Sequence, residues 1–397
     1  MKPRIAIIGD RGIPARYSGY STLVEELATR LVANHGMDVT VYCRRHYYAK
    51  RPSTYRGVRC VYLPAPGGKN FESIVHSNLS IWHAAMVGYD LAFVLDPGNA
   101  PFVGPLILRS IPRLMHTDGL GWKRPKWNRL QRRYYKWSEW VSARASTWMV
   151  ADSRAMQRFY EREYGTSSSF IPYGSVFGET ATPDVLRAYG VEPGGYMLAV
   201  ARVEPDNNVD LIINEYKRSS SRWPLIVVGE ARHPGAYAKR ILAQADDRVR
   251  CVGAIWDPGV LNALYRHCRL YIHGHEVGGT NPGLLRAMGQ GAPCLPLDVE
   301  FHREVLGQDN GYFTKTPGDL AQRIDRLSSD PEPLRAMAER AKQRANGLYR
   351  WDAVADGYAR LFVAVLRERA AGARFRPDTG FEPYRPAAFV EPMTAAL

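Results

Sequence analysis

The sequence predicts an α/β protein built of two doubly wound parallel-sheet domains. Short apolar runs of the kind buried in a parallel sheet alternate along the chain with segments of helical spacing, the pattern of strand–helix–strand units. At 397 residues the chain exceeds what one core supports, so two domains are the default. Two such alternations are separated by a polar, turn-rich stretch, Thr180-Ala-Thr-Pro, and by Gly194-Gly195.

Arg4 to Gly9 is the first buried strand, and Ser21 to Leu31 places Leu23, Leu27 and Leu31 on one side of a helix. The loop between them, Gly9 to Gly19, is basic and glycine-bearing, but it is neither GxGxxG nor a P-loop. Asp38 to Cys43, Val58 to Leu63 and Leu91 to Leu95 read as further strands. Ligands of such sheets collect beyond the carboxyl ends of the strands, where Gly67-Gly68-Lys69-Asn70 and Arg113 to Arg124 are placed. His116 and Asp118, two apart on an extended chain, share one face; the alternative for Asp118 is a cap on the next helix.

From Trp127 to Trp148 the character changes. Trp127, Leu130, Tyr134, Trp137 and Val141 follow three-and-four spacing, while Arg129, Arg132, Arg133 and Lys136 fall on the other side of the wheel. This basic amphipathic helix fits an anionic membrane surface, with tryptophans at the headgroup level, or a helix that packs its aromatic stripe on the sheet and solvates its arginines. Arg44, Arg45, Lys50, Arg51, Arg56 and Arg59 form a second basic cluster expected on the same surface. Met149 to Ser153 is a strand, Arg154 to Tyr164 a helix, and Phe170 to Gly174 closes the first domain.

In the second half, Tyr196 to Val200, Trp223 to Gly229 and Arg248 to Gly253 are strands, and Asp257 to Cys268 is a helix. Tyr271 to Asp298 then gives a strand, a glycine-rich turn and a helix start in succession. Gly278, Gly279 and Gly283 remove side chains that would keep a ligand off the backbone, and Pro282 suits a first helical turn. The amides of Thr280, Asn281 and Gly283 would then point at an anion, for which a diphosphate fits; the alternative is an ordinary strand-to-helix turn. Trp351 to Arg369 has helical intervals, and the Ala-, Pro- and Arg-rich remainder from Ala370 reads as a poorly ordered tail or an interaction arm.

A net charge of +14 implies an acidic partner: a nucleoside diphosphate, an anionic headgroup or nucleic acid. No helix-turn-helix, zinc or RNP pattern is visible, so nucleic acid is not expected. Five cysteines without CxxC spacing argue against structural zinc and suit a reducing cytosol. No apolar run approaches the ~20 residues of a spanning helix, and Met1-Lys-Pro-Arg leads straight into a strand. The expectation is a cytoplasmic protein, soluble or peripheral on the inner face of the plasma membrane.

The polar strand end, the acidic residue, the Gly/Pro turn, Leu284-Leu285 and then Ala287-Met288-Gly-x-Gly-x-Pro resemble the donor-nucleotide motif of retaining GT-B glycosyltransferases of the glycogen-synthase-like, or family four, class. GGTNPGLL from Gly278, FHREVLGQDNGYF from Phe301 and the DGxxWKR signature from Asp118 to Arg124 resemble bacterial rhamnosyltransferases with a distinctive N-terminal domain. The resemblance covers roughly residues 1 to 365. It implies the GT-B fold, two Rossmann-like doubly wound domains facing a cleft. Residues 1–175 form the acceptor-side domain, 176–348 the nucleotide-sugar domain, 349–369 a helix returning to the first domain and 370–397 the tail. The implied reaction moves a sugar, L-rhamnose first, from a nucleoside diphosphate to a glycan or lipid-linked glycan acceptor with retention. The donor is dTDP-L-rhamnose, with UDP- and GDP-sugars behind it. No cofactor or metal is expected, and no Asp-x-Asp pair occurs to hold one. A catalytically weak sugar-nucleotide binder and a nucleic-acid-binding protein are the alternatives.

By resemblance, His116 or Asp118 orients or deprotonates the acceptor hydroxyl. Arg202 binds the donor diphosphate, Asn207 stands where the class has a lysine, and the loop of Gly12 and Gly19 lies beside the donor. Arg202 and Glu276 count with His116 and Asp118 as catalytic residues, and Gly278, Gly279, Thr280, Asn281 and Gly283 complete the donor side. The class has two glutamates with seven residues between them; here Arg286 holds the second position and Glu276 lies two residues too far upstream. A guanidinium cannot accept from ribose hydroxyls, so Arg286 serves the diphosphate, pairs with a carboxylate such as Glu276, or is solvated.

Overall fold

The computed structural model describes residues 2–15, 19–66, 72–117, 119–124, 127–230, 235–376 and 381–386. Two compact units result, one of Met1–Lys123, Trp127–Tyr173 and Trp351–Arg385, the other of Arg124–Lys126, Gly174–Arg350 and Pro386–Leu397.

In the first unit β1 (Arg4–Ile8), α1 (Gly19–His35), β2 (Asp38–Arg44), β3 (Thr54–Tyr55), β4 (Val58–Leu63), α2 (Glu72–Val87), β5 (Leu91–Leu95), α3 (Gly104–Leu108), β6 (Arg113–His116), α4 (Arg129–Ala145), β7 (Trp148–Ala151), α5 (Arg154–Tyr164) and β8 (Ser168–Phe170) succeed one another. They make an eight-stranded sheet of order β3-β4-β2-β1-β5-β6-β7-β8, parallel except for β3 against β4. Alternate residues of β5 serve opposite faces. Ala92 and Val94 pack with Ile81 and Ala84 of α2, while Phe93 meets Tyr358 and Phe362, at 5.2 and 5.8 Å between ring centres, from the late helix Trp351–Ala370. Residues of α2 to α5 share the core on one face of the sheet, while α1 packs on that late helix at the other.

The second unit is built from β9 (Met197–Val200), α6 (Val209–Arg218), β10 (Leu225–Val228), α7 (Ala236–Leu242), β11 (Val249–Gly253), α8 (Pro258–His267), β12 (Leu270–His273), α9 (Pro282–Gly289), β13 (Cys294–Pro296), α10 (Glu300–Leu306), α11 (Asp319–Ser329) and α12 (Pro331–Leu348), after which α13 (Trp351–Ala370) rejoins the first unit. Its five strands run parallel in the order β11-β10-β9-β12-β13, around a core that includes Ile212 and Ile213 of α6, Leu225 and Phe313.

Two sequence expectations are corrected here. The chain after Ala370 is not loose where it is described. Phe375 is buried with its ring 5.2 Å from that of Trp148, Tyr384 sits 5.8 Å from Phe170, and Arg360 donates to the Pro383 carbonyl at 2.7 Å. Aromatic anchors inside a Pro- and Arg-rich composition supply the burial that the composition alone hides. Residues 377–380 and 387–397 lie outside the described residues. The second basic cluster does not share the surface of α4 either. Arg44 is buried in an ion pair with Glu72 at 2.7 Å, and Arg56 and Arg59 belong to the β3–β4 edge, far along the sheet from β6 and β7.

Candidate functional site

In the second unit the strand order reverses between β9 and β12: the chain builds outward through β10 and β11, then returns to the other side of β9. The carboxyl ends of two such strands leave a crevice between their loops, the ordinary ligand position of an open α/β sheet. The two stretches singled out from sequence meet there. Arg202 follows β9, and Glu276 to Thr280 follow β12.

The loops are stitched together by polar side chains. Asn207 donates to the Arg202 carbonyl at 2.8 Å and its carbonyl oxygen meets Nδ1 of His275. Asn208, in the left-handed region at φ 51°, donates to the Gly274 carbonyl at 2.8 Å and to Glu276 at 3.3 Å. Lys315 closes on the Glu276 carboxylate at 2.6 Å. The Arg202 side chain is left half exposed, with Glu204 at 3.4 Å and its charge felt by His275. Thus Arg202 is fixed at its backbone and open at its guanidinium. Asn207 is corrected from a ligand contact to a structural tie, because it is buried and both ends of its amide are spent on the protein.

The turn into α9 also differs from expectation. Asn281 is the N-cap: its side-chain oxygen accepts from the amides of Gly283 at 2.8 Å and Leu284 at 3.4 Å. The Gly283 amide is therefore occupied, since an asparagine cap competes with any ligand for the first free donors of a helix. Gly278, Gly279 and the buried Thr280 keep their place on the crevice turn. A Cβ on Gly278 would lie 3.0 Å from the His275 ring. Arg286 does not pair with Glu276, which Lys315 and Asn208 hold instead; it is half-buried on α9, near the Tyr265 phenol, whose pKa burial raises and the Arg286 charge only partly offsets.

Stacked on His275 of this loop is a polar cluster that no spacing in the sequence announces. Tyr271 hydrogen-bonds His273 Nδ1 at 2.7 Å, the His273 and His302 rings are 4.9 Å apart, and His302 Nδ1 donates to the Leu297 carbonyl at 2.7 Å. Burial drives the pKa of His273 well below the usual imidazole range, and that of His302 down to about 4. Both rings are neutral in the fold but titrate near 6.5 when unfolded, so the stability they permit is complete above about pH 6.5 and is lost as pH falls toward about 4. The unfolding free energy of wild type relative to His302→Asn is expected to drop by about 3 kcal/mol over that window, as read from denaturant melts. A flat difference would show that His302 takes up its proton without cost.

The first unit has its own reversal, between β1 and β5. Asp10 shapes the loop after β1 by accepting from the Gly12 amide and the Ser21 hydroxyl, each at 3.1 Å. Gly12, at φ 113°, passes so close to β2 that a Cβ would fall 2.5 Å from Cys43 Sγ, which explains this glycine by packing. Gly19 is the first residue of α1. His116 ends β6 but is not presented on an open face: its ring is buried among Tyr20, Phe93 and Tyr173, at 5.5 to 5.9 Å between ring centres. Asp118 and the Gly67–Asn70 loop lie outside the described residues.

Residues 190–344 match the family described as Glycosyl transferases group 1, and residues 2–176 match a domain of unknown function, DUF1972. Similar solved structures include the sucrose-phosphate synthase of Thermosynechococcus elongatus, with TM-score 0.77 and 19% identity over 94% of this chain and 100% of that one. The fold is that of the GT-B glycosyltransferases. The Anabaena protein HepE in complex with UDP aligns at TM-score 0.71 and 15% identity, over 91% of this chain and 100% of that one. The α,α-trehalose-phosphate synthase (UDP-forming) of Burkholderia vietnamiensis aligns at 0.65 and 12%, over 92% and 100%. Curated proteins give no match.

Within this GT-B chain, helix α4 is seated in an unexpected way. Asn128 and Gln131 form a capping box, and the buried face is Ser138, Glu139 and Ser142. Leu130 is 76% and Trp137 51% exposed, so the stripe is split: these two face solvent, while Tyr134 is half-buried and Val141 packs against the core. Trp127 instead turns back on Tyr135, at 5.3 Å between ring centres, and Tyr134 bonds the Gly98 carbonyl at 2.7 Å. Glu139 accepts from Trp122 of the DGxxWKR signature and from Tyr164, each at 3.1 Å, and burial pushes its pKa up to about 7. Lys136 lies 5.3 Å over the Trp122 ring, so the signature loop rests on α4.

Proposed function

We propose that this chain transfers a hexosyl group, L-rhamnosyl in the first instance, from a nucleoside diphosphate to a hydroxyl of a glycan or lipid-linked glycan, with retention of configuration and with no metal ion at the leaving group. The observation that carries the reading is the meeting of Arg202 with the Gly278–Thr280 turn where the strand order reverses, inside the segment that matches group 1 glycosyltransferases. Charge developing on the departing diphosphate would be met by the open Arg202 guanidinium, by amides of that turn and by Arg286. HepE, similar in fold, is described in complex with UDP, which supports a nucleoside diphosphate as the donor's carrier. Leu130 and Trp137, exposed beside Arg129, Arg132, Arg133 and Lys136, support a membrane-borne acceptor reached from an anionic leaflet.

Donor hydrolysis across dTDP-, UDP- and GDP-sugars is expected to favour dTDP-L-rhamnose. Selective nucleotide binding without turnover would move the reading to a sugar-nucleotide binder, and indifference to all the nucleotides would sink it. In the same assay Arg286→Glu is expected to reduce activity, because it sets a carboxylate beside the leaving group. A gain in donor affinity would remove Arg286 from the phosphate site.

A further inference from the structure

α2 and α3 carry an apolar surface that no part of the reaction uses. On α2 the buried residues are Glu72, His76, Ser77, Ser80, Ile81, Ala84 and Ala85, so the large apolar side chains turned to solvent are Leu79, Trp82, Met86 and Val87. Met86 is 72% exposed, and Leu108, at the end of the adjoining α3, is 82% exposed beside Ile107. A solvated helix carries charge on its outer face, whereas Ser73 to Tyr89 and Pro97 to Leu108 contain no Lys, Arg, Asp or Glu at all. Large contiguous apolar exposure of this kind marks a surface that is covered in use.

Charge selects what covers it. The first charged residue after Leu108 is Arg109, and the turn Pro97–Phe102 touches both α2 and α4, which places the cations of α4 along the same side of the unit. Glu72, the acid at the start of α2, is consumed by Arg44. No helix among the described residues is long and apolar enough to cross a bilayer. Tryptophan, methionine and leucine on helix faces that carry no acid, with Arg109 and the cations of α4 to one side, suit the boundary between headgroups and acyl chains of an anionic membrane.

We infer that the outer faces of α2 and α3 insert into the interfacial layer of an anionic bilayer, with α4 supplying headgroup contacts beside them. This rests on the membrane reading of α4 and adds to it the element that enters the apolar layer.

The full chain is floated with phosphatidylcholine vesicles, with and without phosphatidylglycerol. Trp82→Ser/Met86→Ser/Leu108→Ser, neutral and on exposed positions, is expected to lose at least about tenfold of its binding to the anionic vesicles, since each apolar side chain withdrawn from the interface weakens partitioning. Brominated acyl chains are expected to quench a part of the wild-type tryptophan emission that Trp82→Phe lacks, a readout that holds even if the triple variant folds poorly. Wild-type binding by the triple variant, or unchanged quenching in Trp82→Phe, overturns the inference; if charge-neutralised α4 still loses binding in that case, the α4 reading stands alone. Failure of wild type to bind any vesicle removes both. Dimerisation of wild type through this face, abolished in the triple variant, assigns the surface to a second copy and likewise overturns the inference.

Discussion

Arg202→Ala is expected to cost about 2 to 4 kcal/mol of transition-state stabilisation, a loss of roughly 30- to 1,000-fold in kcat/KM, with little change in melting temperature. The separation of the two effects follows from how the residue is held. Its backbone carbonyl is tied by Asn207 at 2.8 Å, which the substitution leaves intact. Its guanidinium makes one ion pair among the described residues, a half-exposed contact to Glu204 at 3.4 Å, and exposed pairs of that kind contribute little to stability. What the alanine removes is a planar set of donors able to meet phosphate oxygens in pairs, a charge-assisted contact that strengthens as the diphosphate departs. Steady-state kinetics beside a thermal melt decide it. A normal rate would place the diphosphate elsewhere.

Replacing Arg129, Arg132, Arg133 and Lys136 by Gln is expected to release the protein from anionic vesicles while donor hydrolysis continues. Each cation near such a surface contributes about 1 kcal/mol, so the four together represent about 4 kcal/mol, nearly three orders of magnitude in partitioning. All four side chains are exposed on α4, and no ion pair engages them among the described residues. Lys136 also covers Trp122, so a variant that keeps Lys136 and changes the three arginines separates lipid binding from support of the signature loop. Wild type that fails to sediment with vesicles at physiological salt would end the membrane reading.

The repeating apolar runs were enough to place most sheet strands, because a strand buried on both faces must be apolar throughout. Val58–Leu63 and Leu91–Leu95 fall where the sequence puts them, and β1, β2, β9 and β12 within a residue or so. The helices with a conventional apolar side were equally legible. α2 escaped notice because it buries Ser77, Ser80 and small residues and turns Leu79 and Trp82 outward, which scrambles the periodic signal. On α4 the period was visible but its meaning was open, and only packing shows that Ser138, Glu139 and Ser142 face inward.

By itself the sequence determined two parallel-sheet units, the anion-suited turn after Tyr271 and the strand-end position of Arg202, since backbone freedom and side-chain chemistry are local properties. The tertiary structure decided which of those groups remain available. Asn207 and the Gly283 amide are consumed by internal hydrogen bonds, His116 is enclosed by aromatic rings, and Glu276 is claimed by Lys315 from 39 positions away. Partnership of a donor or acceptor depends on what the fold brings within about 3 Å, and no spacing along the chain encodes that.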